Sequence, residues 1–214
     1  MLQFKIFILL ALTLNSIIFS QIKFWDVPLN STDNVLILTL ENLDKTVSEN
    51  LNVEFASYPS WVKVKNRINF VSKIDPGDSV NLIFKFDVDK NAPPDSVGEL
   101  LFKLKNNKYS YVKIIRIKIL PPQSFKLYQN YPNPFNLTTR IGFEIPEKSH
   151  IRIIIYDQLG RVVKKLVDKD MSAGYFEVEW DGRNDRGVYV SSGIYFYCIF
   201  TEKWSDFKKM ILLK

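Results

Sequence analysis

The sequence predicts an all-β protein that consists of two consecutive β-sandwiches. Apolar and polar residues alternate with a period of two along most of the chain, and we find no stretch with the apolar spacing of a helix. Turn-forming Pro, Gly, Asn and Asp residues recur about every eight to twelve positions. Short alternating strands at this spacing are typical of an immunoglobulin-like sandwich.

Residues 1–20 have the features of a secretory signal peptide. Lys5 supplies a positive charge, and residues 6–14 form an apolar stretch that is too short to span a bilayer. Ser20 is a small residue suited to the position before cleavage, which predicts Gln21 as the first mature residue. A retained N-terminal anchor is the alternative. We expect an exported mature chain with no integral membrane span.

Composition limits both the partners and the means of stabilisation. Hydrophobic residues make up 46% of the chain and aromatic residues 14%, which allows each domain an apolar core. Cys198 is the only cysteine, so no intramolecular disulfide can form. The net charge of +6 is spread over both domains without a basic block, which argues against a nucleic-acid partner.

The first mature domain is predicted over residues 21–121. Its strands are expected at residues 34–41, 50–57, 61–64, 68–72, 80–88, 98–105 and 109–120. Trp61 follows a proline turn and is predicted to be the core tryptophan. Sandwiches recognise ligands through loops at their ends, so a ligand site would lie at residues 58–60, 75–78 or 92–95.

The second domain is predicted over residues 122–214, because Pro121 and Pro122 cannot continue a strand ladder. It begins with the segment Tyr131-Pro132-Asn133-Pro134-Phe135, which we call the strap. Proline fixes φ and favours an extended conformation in the residue before it, so the strap is predicted to be stiff and polyproline-like. An ordinary interdomain linker is the alternative.

Six strands are expected after the strap, at residues 140–145, 151–157, 162–167, 175–180, 193–201 and 206–213. Gly160 suits the hairpin turn at residues 157–161, and Gly and Asx residues suit the turn at residues 181–187. Cys198 alternates with apolar neighbours and is predicted to be a buried, small hydrophobic residue.

Four sequence blocks carry a family resemblance: YPNPFNLTTRIGFEIPE, IRIIIYDQLGRVVKKL, WDGRNDRGVYVSSGIYFY and the terminal KKMILLK. In this order they resemble the C-terminal sorting domain of type IX secretion cargo, a family that overlaps with the immunoglobulin-like domain of the flagellar hook-capping protein. Two departures are Leu137, where proline is usual, and Ser191-Ser192 before Gly193. Residues 59–64, 75–79 and 89–100 also resemble the bacterial immunoglobulin-like modules that often precede such domains.

The resemblance implies that the second domain is an address read by an outer-membrane translocon and, in many members, removed by a sortase-like protease. A surface polysaccharide or a protein ligand is a further implied partner. The residues that would form the address are Tyr131, Pro132, Asn133, Pro134, Phe135, Gly160, Arg161, Trp180, Asp181, Gly182, Gly193, Tyr195, Lys209 and Lys214. The first domain would act as a spacer or binding module, and the protein would lie outside a Gram-negative cell or on its outer surface.

Catalytic and metal-binding patterns have little support in the sequence. His150 is the only histidine and Cys198 the only cysteine, and the two are far apart in character, so neither a thiol–imidazole pair nor a serine triad has support. A zinc site would lack its usual His and Cys ligands. Asp181, Asn184 and Asp185 are weak candidates for Ca²⁺, but their spacing departs from the D-x-D-x-D-G loop. We therefore expect a non-enzymatic protein without a cofactor.

Two other interpretations remain open at this point. The first is an extracytoplasmic scaffolding or adhesion protein that uses both sandwiches for protein contacts. The second is a secreted hydrolase whose catalytic part is missing, so that only its accessory modules remain. The scarcity of histidine and cysteine disfavours the second interpretation.

Overall fold

The computed structural model describes residues 5–11, 24–106 and 110–214. Every regular element in this part of the chain is a β-strand, which confirms the all-β class. The chain divides into two compact units, Met1–Leu120 and Pro121–Lys214. Over the described ranges, no helix has the length and apolar character needed to cross a membrane.

The first unit contains two sheets. Its strands are β1 (Lys5–Ala11), β2 (Phe24–Pro28), β3 (Asn34–Glu41), β4 (Ser48–Ser57), β5 (Val62–Val64), β6 (Ile68–Ile74), β7 (Ser79–Val88), β8 (Val97–Lys105) and β9 (Ser110–Leu120). One sheet has the order β1-β3-β7-β5, and the other has the order β2-β9-β8-β4-β6. Alternate residues of each sheet fill a shared core, as the period-two pattern predicts.

Phenylalanines, not a tryptophan, fill the centre of the first core. The rings of Phe55, Phe84 and Phe102 are fully buried, with centroids 4.4 Å apart for Phe55 and Phe102 and 4.9 Å apart for Phe84 and Phe102. The prediction that Trp61 is the core tryptophan is wrong, because its side chain is only half-buried. It lies over Gly98, where an added Cβ would come within 2.5 Å of the indole ring.

The predicted signal peptide overlaps β1, which pairs in parallel with β3 from Lys5 opposite Val35 to Ala11 opposite Glu41. Its cleavage position after Ser20 lies outside the described residues. The cleaved leader therefore stays a prediction.

The second unit is a sandwich of a three-stranded sheet and a four-stranded sheet. Its strands are β10 (Lys126–Leu127), β11 (Thr139–Ile145), β12 (Ser149–Tyr156), β13 (Val162–Met171), β14 (Gly174–Trp180), β15 (Gly193–Phe200) and β16 (Ser205–Leu212). The sheet orders are β10-β11-β14 and β13-β12-β15-β16. A single apolar cluster takes side chains from both sheets, so the core lies between them.

Strand β15 shows which way the side chains of the larger sheet point. Tyr195, Tyr197 and Ile199 are buried in the core, whereas the alternate residues, including Cys198, are half-buried on the outward face. The expected alternation of Cys198 with its apolar neighbours holds, but the prediction that it is buried is wrong. Partial burial and the nearby Asp206 raise the pKa of the Cys198 thiol.

Candidate functional site

The strap lies along the edge of β16, the last strand of the chain. The backbone N–H of Phe135 donates to the carbonyl of Ile211 at 3.0 Å, and the N–H of Leu213 donates to the carbonyl of Phe135 at 2.8 Å. The side-chain oxygen of Asn133 accepts the N–H of Ile211 at 3.0 Å. These bonds supply partners for backbone groups that an edge strand would otherwise leave to solvent.

The conformation of the strap differs from the predicted polyproline helix. The Tyr131–Pro132 and Asn133–Pro134 peptide bonds are cis, and the chain bends through these residues instead of running straight. The backbone of Tyr131 also forms two hydrogen bonds with Arg140, 2.9 and 3.0 Å long. The strap is therefore fixed to β11 at one end and to β16 at the other. A simple linker between domains would not require these hydrogen bonds.

A buried polar network beneath the strap holds this shape. The side-chain amide of Asn130 donates to Thr139 Oγ1 at 2.9 Å and to the carbonyl of Pro132 at 3.0 Å. The hydroxyl of Tyr197 accepts the N–H of Asn130 and donates to the carbonyl of Tyr128, both at 2.8 Å. Burial raises the pKa of Tyr197, which keeps this hydroxyl protonated as a donor. Sequence reasoning did not single out these residues.

The strap presents one aromatic residue to solvent and buries the other. Tyr131 is 82% exposed, whereas Phe135 is 2% exposed and lies 5.6 Å from the ring of Trp180. Trp180 in turn meets Tyr195 edge to face at 5.3 Å. The indole N–H of Trp180 donates to the carbonyl of Arg183 at 2.9 Å. The buried aromatic residues of the predicted address therefore build the core, and Tyr131 is available for contact.

The hairpin between β12 and β13 contains two further predicted residues. Gly160 has φ +74°, a conformation that glycine adopts without a steric cost. Arg161 Nε lies 2.6 Å from Asp157 Oδ2. Desolvation acts to raise the pKa of Asp157, but hydrogen bonds from Arg161 and from the N–H of Leu159 hold that pKa below its ordinary value. The carboxylate thus fixes the shape of the turn.

The loop between β14 and β15 uses its acidic and amide side chains as turn acceptors. Asp181 Oδ1 accepts the N–H of Arg183 at 3.1 Å, and Asn184 Oδ1 accepts those of Arg186 and Val188. Asp185 Oδ1 accepts the N–H of Lys165 at 3.2 Å. Each proposed calcium ligand thus has a protein partner, and the described residues include no cluster of acidic, His or Cys side chains suited to a metal ion.

The end of the chain packs against the same loop. The N–H of Lys214 donates to Ser192 Oγ at 3.1 Å, and its ammonium lies 5.5 Å from the centre of the Tyr189 ring. The guanidinium of Arg183 lies 4.3 Å from that ring and donates to its hydroxyl at 2.9 Å. Lys209 is further along β16, where its carbonyl accepts the side chain of Gln129. The ring of Tyr189 therefore contacts two cationic groups, those of Arg183 and Lys214. The sequence analysis did not identify Tyr189.

Strand register brings these features to one end of the second unit, which we call the strap pole. It consists of the strap, the hairpin at 157–161, the loop at 181–192 and the chain end at 213–214. In the register, Thr139 lies opposite Trp180, Gly193 opposite Leu212, and Phe135 beside Leu212. Apart from Lys209, which is further along its strand, the predicted address residues lie at this pole.

The opposite pole holds a polar cavity of about 230 Å³. His150 lies there between two carboxylates, with Nδ1 2.8 Å from Asp170 and Nε2 2.9 Å from Asp168. Lys203 pairs with Glu147 at 3.0 Å beside it. The structure thus places the only histidine away from the predicted address residues.

Comparison with known families supports the fold of the second unit. The family model of the FlgD Ig-like domain matches residues 130–199, which begin at the buried Asn130 and end in β15. The second unit therefore has an immunoglobulin-like fold. A search of curated proteins found no match.

Solved structures give only distant superpositions. Dimeric latent PorU from Porphyromonas gingivalis is 12% identical, with a TM-score of 0.36 over 91% of this chain and 19% of PorU. PorZ from the same organism, described as a surface component of the type IX secretion system, is 16% identical, with a TM-score of 0.32 over 59% of this chain and 16% of PorZ. The Pseudomonas aeruginosa CupB2 chaperone is 10% identical, with a TM-score of 0.31 over 88% of this chain and 97% of the chaperone.

This chain thus spans less than a fifth of the PorU and PorZ chains that it matches.

Proposed function

We propose that the second unit is a folded address for export across the outer membrane and that a translocon reads it at the strap pole. The observation that carries this proposal is that the predicted address residues, which are scattered from Tyr131 to Lys214 in sequence, converge at one end of the sandwich, with Lys209 as the exception. This convergence would let a partner recognise the address as one surface of the folded unit.

The buried and exposed members of this set have different roles. Phe135, Trp180 and Tyr195 shape the pole through core packing. Tyr131 and Lys214 project from it and are exposed to a partner. An exposed tyrosine is suited to protein recognition, because it offers a large contact area and loses little conformational entropy when it binds. The ammonium of Lys214 adds a positive charge at the same pole.

The first unit acts in this proposal as a spacer or binding module that the address carries out of the cell. The whole protein is non-enzymatic and lies outside the cell or on its outer surface. A sortase-like protease removes the second unit where the mature protein is released or attached to a surface polysaccharide.

Fusion of residues 122–214 to a periplasmic reporter tests the address in a host that has a type IX system. We expect the reporter outside the outer membrane. The Lys214→Ala variant should lower export, whereas the Lys203→Ala variant should not, because Lys203 is an exposed lysine at the opposite pole with a 3.0 Å partner in Glu147. Retention of the unmodified fusion in the periplasm would contradict the proposal.

A scaffolding or adhesion role is the second candidate, and the match to the FlgD Ig-like domain favours it. In that case both units stay together in the working protein. The intact mass of the protein from the source cell's surface and medium separates the two functions. Loss of the second unit supports the address, whereas its retention, together with failure of the fusion to leave the periplasm, supports the scaffold.

A further inference from the structure

One edge of β3 in the first unit is covered by residues that the sequence predicts to be removed. Strand β1, with the sequence KIFILLA, pairs in parallel with β3 from Lys5 opposite Val35 to Ala11 opposite Glu41. On its other side, β3 pairs with β7 along its whole length without a register shift. Cleavage after Ser20 would therefore change β3 from an inner strand into the edge of its sheet.

The sequence of β3 lacks the features that protect edge strands from pairing with other chains. The strand is 8 residues long, and from Asn34 to Leu40 it contains no charged residue and no proline. Native edge strands are usually short, charged, interrupted by proline or bent by a bulge. Other edge strands show this protection, since β5 has only 3 residues and β2 contains Asp26 and Pro28. Without β1, the β3 edge would present a long, uncharged row of backbone N–H and C=O groups.

We infer that removal of residues 1–20 opens β3 as a binding site for an extended apolar segment of another polypeptide chain, which takes the place of β1 and runs parallel to β3. Backbone hydrogen bonds along the open edge provide the affinity, as in other cases of β-strand addition. The position of β1 is the evidence for this kind of partner, because it shows that the edge accepts an apolar strand in this direction.

The direction of pairing separates this partner from a second copy of the protein. Two copies that form one continuous sheet about a two-fold axis perpendicular to that sheet pair their β3 strands antiparallel. Strand β1 instead runs parallel to β3. A segment of different sequence is therefore the favoured partner. The inference rests on the leader removal that belongs to the proposed function, but it does not involve the strap pole.

Binding of a leader peptide to the processed chain tests this inference. The protein is the chain that begins at Gln21, and the probe is a synthetic peptide of residues 5–11 with lysines added at its C-terminus for solubility. We expect the peptide to bind and to slow hydrogen exchange about tenfold or more at the β3 amides that face the open edge. The full chain from Met1 has its own β1 and should bind the peptide about tenfold more weakly or less.

Two N-methylated peptides of the same sequence provide matched controls. Alternate residues of a strand direct their N–H groups toward the same neighbouring strand. Methyl groups on the backbone nitrogens of Ile6, Ile8 and Leu10, or on those of Phe7 and Leu9, therefore block opposite edges of the peptide. One methylated peptide should lose affinity about tenfold or more, whereas the other should bind like the unmodified peptide.

Equal effects of the two methylation patterns would overturn the inference, because they indicate adsorption without strand pairing. A processed chain that does not bind the peptide also overturns it, as does one that forms a dimer through β3 or fails to fold without β1. Sedimentation and thermal melting of the processed chain identify these last two outcomes. Failure of the fusion of residues 122–214 to leave the periplasm would contradict only the export proposal.

Discussion

The side-chain oxygen of Asn133 accepts the backbone N–H of Ile211 at 3.0 Å, across 78 residues of sequence. Asn133, which lies between two prolines, thus supplies a hydrogen-bond acceptor that a neighbouring strand would otherwise provide at the edge of β16. The backbone of Phe135 continues the same row of bonds to Ile211 and Leu213. The strap and β16 are therefore coupled by hydrogen bonds, and a substitution in one should change the local stability of the other.

Asn133→Ala should open the edge of β16 locally. The N–H of Ile211 loses its acceptor, so its hydrogen exchange should accelerate several-fold, and the chain should lose about 1 kcal/mol of stability. Exchange followed by NMR measures this directly. Asn136→Ala is the matched control, because Asn136 is an exposed asparagine just beyond the strap. Equal exchange at Ile211 in both variants would show that the Asn133 bond has no role.

Phe135→Ala should destabilise the second unit severely. The side chain is 2% exposed and packs against the ring of Trp180, so its loss leaves a cavity and should cost about 3–5 kcal/mol. Urea denaturation followed by tryptophan fluorescence measures the loss.

Tyr131→Ala provides the comparison within the same strap. Tyr131 is 82% exposed, so its removal should change stability by less than about 0.5 kcal/mol. If the two variants unfolded at the same urea concentration, Phe135 would not anchor the strap.

The sequence predicted most strands well because alternation records which face of a sheet is buried. Residues 34–41 were expected as a strand and form β3 with the same bounds. Strand β13 extends from Val162 to Met171, beyond the predicted residue 167, because its second half is an exposed edge of charged residues without alternation. Pairing with β12 holds the second half of β13 in a strand conformation. The local pattern of apolar and polar residues cannot predict this pairing.

The strap was located by sequence, but its docking was not. The partner of Asn133 is in β16, and its contact depends on how two sheets close around a core. The prediction for Trp61 was wrong for a related reason. The size of an indole ring does not determine whether it fills the core or covers a glycine at the edge of the core, as Trp61 covers Gly98. Only the assembled register separates these outcomes. The same limit applies to Tyr189, whose cationic neighbours Arg183 and Lys214 meet it through loop geometry.

His150 should titrate above the ordinary histidine value. Hydrogen bonds to Asp170 and then to Asp168 raise its pKa from 6.5 by favouring the imidazolium. The protonated histidine therefore stabilises the fold at pH values below about 6.5, and this contribution is lost as the pH rises through the higher folded pKa. The wild type should melt above His150→Gln at about pH 5.5, and the difference should vanish in alkaline buffer.

The titration itself is readable by NMR, because the chain has one histidine. Asp170→Asn and Asp168→Asn should each lower the pKa of His150, since the hydrogen bonds to Asp170 and Asp168 both raise it. A titration at or below 6.5 in the folded wild type would contradict the predicted stabilisation.

Gly160 and Gly182 form a matched pair for separating backbone strain from crowding. Their φ angles, +74° and +71°, are nearly the same, so an alanine at either position costs about 1 kcal/mol or more in the left-handed region. An added Cβ at Gly160 meets nothing within 4 Å, whereas at Gly182 it lies 3.3 Å from the carbonyl oxygen of Leu137. Gly182→Ala should therefore be the more destabilising.

Urea midpoints of the two alanine variants and of Gly160→Asn measure these contributions. Asparagine tolerates a positive φ better than alanine does, so Gly160→Asn should recover part of the loss and show that strain alone acts in the hairpin. The additional loss in Gly182→Ala should come with faster hydrogen exchange at Leu213, because crowding of Leu137 displaces the chain next to the strap. Equal urea midpoints for Gly160→Ala and Gly182→Ala would contradict the prediction. They would mean that the loop around Leu137 shifts to accommodate the added Cβ at no cost in stability.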